Sequence, residues 1–178
     1  MRKLRILSIL LFIFILAGCN VTPLGEDDLS ITLKPGIDTV EINTAFVDAG
    51  VTAMIGTRTI EGTITENTVD ITTTGQYTVT YEVSRYGYSK TVTRYVNIVD
   101  NTPPTLSLKP GVDTIIKGQT WTDAGVNAED NSLGTVSVVV TGSANVNTAG
   151  EYVITYTGTD ESGNVSTIIR YVNVLNTN

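Results

Sequence analysis

The residues here that could do chemistry are mostly carboxylates and side-chain amides. Asp160-Glu161-Ser162-Gly163-Asn164 sets two carboxylates and an amide around a glycine, while Glu129-Asp130-Asn131 and Asp100-Asn101 add further oxygen donors. Such groups are hard oxygen ligands of the kind Ca²⁺ collects. The same composition also suits a hydrogen-bonded turn in which Asp160 accepts from backbone amides and Gly163 or Asn164 turns left-handed. The turn is the simpler reading, because no ligand spacing here has the strictness of an EF-hand loop. A second group, Arg85, Tyr86 and Tyr88 with Arg58 and Lys90, mixes cations with aromatics. It could touch lipid headgroups or wall polymers and stack on sugar rings, against the simpler alternative of a plain exposed hairpin tip.

Most catalytic chemistry is excluded by what is missing from the sequence. There is no His, Cys19 is the sole cysteine, and no Ser sits in a nucleophile-elbow pattern, which removes the usual acyl-transfer and zinc constellations. Paired carboxylates cleave glycosides, yet small β-modules offer little room for a substrate cleft. The chain reads as non-enzymatic, with no cofactor apart from the Ca²⁺ alternative.

Cys19 has a different task. Arg2, Lys3 and Arg5 precede an almost unbroken apolar run from Ile6 to Leu16, ending at Ala17-Gly18-Cys19. That is a signal peptide, too short to cross a hydrocarbon core of about 30 Å as a helix. Leu16-Ala17-Gly18-Cys19 resembles the lipobox of bacterial lipoproteins. The resemblance implies cleavage before Cys19, a diacylglyceryl thioether on its sulfur and usually an acyl chain such as palmitate on its freed amine. Two or three chains give lasting membrane attachment where one gives only marginal binding. If the sorting rule of lipoproteins carries over, Asn20 after the lipidated Cys leans toward an outer membrane where the cell has two; otherwise the anchor is in the cell membrane. Loss of residues 1–18 leaves eight basic against 18 acidic residues, a net −10. No basic run follows residue 5, so nucleic acid is not an expected partner.

With one cysteine, stability must come from packing rather than cross-links. Residues 19–29, with Pro23, Gly25 and Glu26-Asp27-Asp28, read as a lipidated Cys and flexible tether. The sequence then repeats itself. Lys34-Pro35-Gly36 with Asp38-Thr39 returns as Lys109-Pro110-Gly111 with Asp113-Thr114, and Asp48-Ala49-Gly50-Val51 as Asp123-Ala124-Gly125-Val126, 75 residues on. Arg94-Tyr95-Val96-Asn97 returns as Arg170-Tyr171-Val172-Asn173. Two homologous modules follow, at 30–99 and 100–178. Val, Ile, Thr and Tyr dominate, and Tyr77, Val79 and Tyr81 alternate with Thr78 and Thr80 at strand period. Further strands are expected at 31–33, 38–42, 51–54, 69–72 and 91–99 in module 1 and at matching places in module 2. About seven short strands per module predict an all-β sandwich. Tyr77 and Tyr152, each just after a Gly at a strand start, are expected to be tyrosine corners.

An aromatic two residues before Asp-Ala-Gly, Gly-x-Tyr-x-x-x-Tyr, Asp-x-x-Gly-Asn and a closing Arg-x-Val-x-Val together resemble the bacterial surface Ig-like family. Residues 30–176 are covered. Module 2 carries the whole pattern through Trp121, Asp160, Gly163 and Asn164. Module 1 departs from it, with Phe46 for the Trp and Ser84-Arg85-Tyr86-Gly87-Tyr88-Ser89 for the Asp-x-x-Gly-Asn loop. The resemblance implies tandem Ig-like sandwiches on a cell surface. In that topology the loops holding Glu129-Asp130 and Asp160 share the N-terminal end of module 2 with the incoming Asp100-Asn101. A Ca²⁺ there would draw on Asp100, Asn101, Glu129, Asp130 and Asp160. The expected role is a membrane-anchored spacer or protein-interaction module; the alternative is a carbohydrate-binding or adhesion lipoprotein using Arg85, Tyr86 and Tyr88.

Overall fold

The computed structural model describes residues 24–176. The leader, the lipobox with Cys19 and residues 20–23 lie outside the described residues. Module 1 is built from β1 (Leu29–Leu33), β2 (Thr39–Glu41), β3 (Val51–Ile55), β4 (Arg58–Ile60), β5 (Thr63–Asn67), β6 (Gly75–Arg85) and β7 (Tyr88–Val99). Module 2 follows with β8 (Thr105–Leu108), β9 (Thr114–Ile116), β10 (Val126–Glu129), β11 (Ser137–Thr141), β12 (Gly150–Thr159) and β13 (Val165–Leu175).

The 75-residue repeat becomes a repeated sheet order. Module 1 has a four-stranded sheet β2-β7-β6-β5, and module 2 has its counterpart β9-β13-β12-β11. Against the first lies β1-β3-β4, and in module 2 the pair β8-β10. In each module the short strand that opens the four-stranded sheet runs parallel to the last strand, while the long central pair is antiparallel. Period-two alternation sends Val79, Tyr81 and Val83 of β6 inward, where Val79 and Tyr81 meet Val96 and Ile98 of β7 and Val83 packs with Leu29, Ala53 and Ile55. Ile154 and Tyr156 of β12 meet Val172 of β13 in the same way. At the position matching Val83 stands Gly158, and a Cβ there would come within 2.8 Å of Leu106. Leu106 fills the space that Val83 occupies in module 1.

Two expectations are corrected. Residues 69–72 are a turn rather than a strand: Asn67 Oδ1 accepts from Val69 N at 3.0 Å, and Asp70 Oδ1 accepts from Thr72 N at 2.9 Å and Thr72 Oγ1 at 2.6 Å. These local bonds satisfy the backbone without a ladder, while Val69 and Ile71 still pack on the core. The fourth strand is β5, whose side chains are all exposed and so carry no alternation to read. The tether is also shorter than expected. Glu26–Asp28 form one 3₁₀ turn, Gly56 N donates to Asp28 O at 2.8 Å, and Leu29 is buried with Ala53, Ile55 and Val83.

Candidate functional site

The module junction brings together the acidic residues singled out above. Asp100 follows the last residue of β7, Asp130 follows β10 and Asp160 follows β12. One carboxylate oxygen from each lies within 4.8 Å of the other two. Asp100 and Asp160 are only 8% and 7% exposed. Asp160 accepts from Asn164 N at 2.8 Å and Asn164 Nδ2 at 2.9 Å, and Asn164 Nδ2 also donates to Asp100 O at 3.1 Å. Burial pushes the Asp160 carboxyl upward, but the Asn164 bonds and the amides of Gly163 and Ser162 outweigh it, so its pKa lies below the ordinary value. The turn geometry is therefore present as well, with Gly163 at φ +91°.

Two of the expected metal-ligating residues stand elsewhere. Glu129 is exposed on β10, because strand alternation turns it outward with Asn127 while Val126 and Ala128 turn inward. Asn101 is committed to Glu41: its backbone N–H donates to Glu41 Oε1 at 2.9 Å and its Nδ2 to Oε2 at 3.5 Å.

Glu41, which sequence reasoning missed, is the hub between the modules. Besides Asn101 it accepts from Thr102 Oγ1 at 2.7 Å and Asn131 Nδ2 at 3.4 Å, while Asn43 Nδ2 donates to Asn131 O at 2.6 Å. The Thr102 hydroxyl does most to hold its carboxyl below the ordinary pKa, partial burial opposes, and the amides of Asn101 and Asn131 add to the lowering. Pro103 and Pro104 stiffen the short linker, and Pro104 is buried.

Arg85, Tyr86 and Tyr88 form the β6–β7 hairpin tip. Tyr86 is 63% exposed at φ +52° and Gly87 has φ +84°, the left-handed pair a tight hairpin turn needs. Arg85 lies over the Tyr86 ring, 5.5 Å from its centroid. Leu29 packs against Val83 just below, so the chain enters module 1 at this tip's end.

The strongest polar constellation in each module is internal. Arg94, 1% exposed, points into module 1; its Nη1 donates to Asp38 Oδ1 at 2.6 Å and its Nη2 to Lys34 O at 2.6 Å and Gly50 O at 3.2 Å. Its Nε lies 3.4 Å from Asp48 Oδ1, which also accepts from the Tyr81 hydroxyl. A Cβ on Gly36 would meet Ala49 at 2.9 Å and the Arg94 guanidinium at 3.1 Å. Module 2 repeats the arrangement around Arg170, with Asp113, Lys109 O, Gly125 O and Tyr156. The repeated Lys-Pro-Gly-x-Asp, Asp-Ala-Gly and Arg-x-Val segments thus converge on one buried guanidinium per module. Burial lowers the pKa of each arginine, but its bonds to the accepting Asp38 or Asp113 carboxylate and its interaction with the Tyr81 or Tyr156 oxygen outweigh it and leave the pKa raised. Tyr81 and Tyr156 are pushed up by burial and by the carboxylates they bond. The corner tyrosines donate locally, Tyr77 to Thr73 O and Tyr152 to Thr148 O, both at 2.8 Å.

The family model described as "Bacterial surface protein, Ig-like domain" matches residues 31–98 and again 111–174. The chain belongs to that family. Both modules of this surface Ig-like protein carry the arginine lock, wholly within the matched span in module 1 and, Lys109 apart, within it in module 2. A solved Bacteroides thetaiotaomicron lipoprotein is similar over 42% of this chain and 39% of its own, at 30% identity and a TM-score of 0.35. A search of curated proteins finds no match. No helix among the described residues is long and apolar enough to cross a membrane.

Proposed function

We propose that this surface Ig-like protein is a non-enzymatic lipoprotein of the bacterial cell envelope, acylated on Cys19, whose two modules act as a short spacer that presents interaction surfaces. The observation that carries the spacer reading is the Glu41 junction. Its carboxylate takes hydrogen bonds from Asn101, Thr102 and Asn131, tying module 1 to the linker and to module 2. Bonds of this charged kind contribute about 1.5–3 kcal/mol each when shielded and less at a partly open surface. Five residues from Asn20 to Leu24 reach at most about 17 Å, so module 1 stands close to the bilayer. On the outer face of module 2, Val139, Val153, Val165, Ile169 and Tyr171 are exposed, a patch suited to protein contact.

Lipid attachment is tested by labelling cells with radiolabelled palmitate: label is expected in the wild type and lost in Cys19→Ala. An unlabelled wild type would remove the anchor from the account.

A second reading, glycan binding or adhesion through Arg85, Tyr86 and Tyr88, is favoured by one observation. Tyr86 sits at positive φ, where a bulky side chain costs about 1 kcal/mol, although the fold does not need tyrosine there. A glycan array compares wild type with Tyr86→Ala and Tyr88→Ala. Binding lost in both variants supports this reading, and no binding, or binding indifferent to both, removes it.

A further inference from the structure

We propose that the junction is a Ca²⁺ site whose first ligands are Asp100, Asp130 and Asp160. Ca²⁺ takes oxygen at 2.3–2.6 Å, so oxygens on opposite sides of one ion stand roughly 4.6–5.2 Å apart. The three carboxylates, within 4.8 Å of one another, fit inside that shell.

The second observation is an orphaned oxygen. Asp130 Oδ2 accepts from Ser132 N at 2.8 Å and from the Ser132 hydroxyl, but Asp130 Oδ1 is sealed from solvent and accepts nothing. A carboxylate oxygen with no protein donor, beside two carboxylates more than nine-tenths buried, lacks its counter-charge. Every partner these groups have is neutral: Thr102 N and Ser162 Oγ on Asp100, Asn164 on Asp160, Ser132 on Asp130. The ion pairs among the described residues all belong to Arg94 and Arg170, so no side-chain cation neutralises the group. The neutral donors orient the carboxylates and leave their charge in place, as outer-shell partners of a metal do. An all-oxygen set selects a hard cation.

The sequence repeat supplies an internal comparison. Seventy-five residues before Asp160 and Asp130 stand Arg85 and Ile55, so the matching end of module 1 lacks these ligands. The cluster exists where one module meets the next. An ion joining Asp100, at the end of β7, to Asp130 and Asp160 of module 2 would pin the linker. That stiffening rests on the spacer reading, whereas the binding does not.

The test is calorimetric titration of CaCl₂ into chelator-stripped full-length protein in detergent. The expected result is one Ca²⁺ per chain at about 10⁻⁴–10⁻³ M, the range of extracellular modules. Asp130→Asn and Asp160→Asn should each weaken it tenfold or more, with Glu129→Gln unchanged and far-UV circular dichroism verifying the fold. No saturable binding up to about 10 mM, tenfold above that range, overturns the site. So does binding unaltered in both variants, or Mg²⁺ competing on equal terms. A spin-label distance between modules, measured with Ca²⁺ and with EDTA, reads the stiffening separately. Narrowing with Ca²⁺ supports it; an unchanged distribution despite binding overturns the stiffening and leaves the site standing.

Discussion

Replacing Arg170 by Met removes a guanidinium that donates to Asp113 Oδ1 and Oδ2 at 2.7 and 2.9 Å, Lys109 O at 2.7 Å, Gly125 O at 3.1 Å and Tyr156 Oη at 3.3 Å. Met retains most of the buried stem, so the loss is mainly polar. The two carbonyl bonds are worth about 1 kcal/mol each. The pair with Asp113 adds about 1–2, discounted because that carboxylate is 38% exposed and can rehydrate. The total, about 3 kcal/mol, sits at the low end for breaking a buried ion pair. Trp121, the protein's one tryptophan, packs on the module 2 core, so its fluorescence reports that module alone. With a urea dependence of about 1 kcal/mol per M for a domain this small, the Trp121 midpoint should fall by about 3 M. Arg94→Met, in the other module, should leave it nearly unmoved while lowering the midpoint seen by circular dichroism. A shift below about 0.5 M in Arg170→Met, equivalent to ~0.5 kcal/mol, would refute the view that the buried arginine holds the module.

Other expectations concern single residues. Glu41 has a depressed folded pKa, so the coupling it provides is present above its free value of about 4.3 and fades as pH falls through the folded value. In EDTA, inter-module distances should therefore broaden below that pH in the wild type, whereas Glu41→Gln should show no such acid transition. Gly142 has φ +91° and a Cβ there would lie 2.2 Å from Val153 O, so Gly142→Ala should destabilise module 2 by about 2–4 kcal/mol in the Trp121 urea assay. Gly118→Ala, at φ +87° with open space around it, should cost only about 1 kcal/mol. Tyr86→Asn relieves a strained left-handed tyrosine and should raise module 1 stability by about 0.5–1 kcal/mol in thermal unfolding.

The repeat was legible because each module copies the same residues at the same offset, and alternation along Tyr77, Val79 and Tyr81 marked the strand facing the core. What escaped had no periodic signature. β5 is exposed throughout, and the Val69-to-Thr72 segment looks apolar enough for a strand until Asn67 and Asp70 are seen closing turns. Arg94 and Arg170 recur in the sequence, which was a usable signal, yet an arginine between strand residues reads as surface until its carboxylate and carbonyl partners are assembled from segments about 60 residues away. The junction carboxylates could be grouped from topology alone because three loops share one end of a sandwich. Glu129 stands outside that group, since its strand parity turns it outward, and Glu41 carries no sequence signal, since it belongs to a short edge strand with no motif around it.

The central claim, that the junction makes the two modules one spacer, is tested most directly by double electron–electron resonance on the lipidated protein labelled at Gln76→Cys and Thr167→Cys, exposed positions on either side of the junction. One narrow distance population, broadened by Glu41→Ala, is the predicted result; a broad distribution in the wild type, insensitive to Glu41, would contradict it.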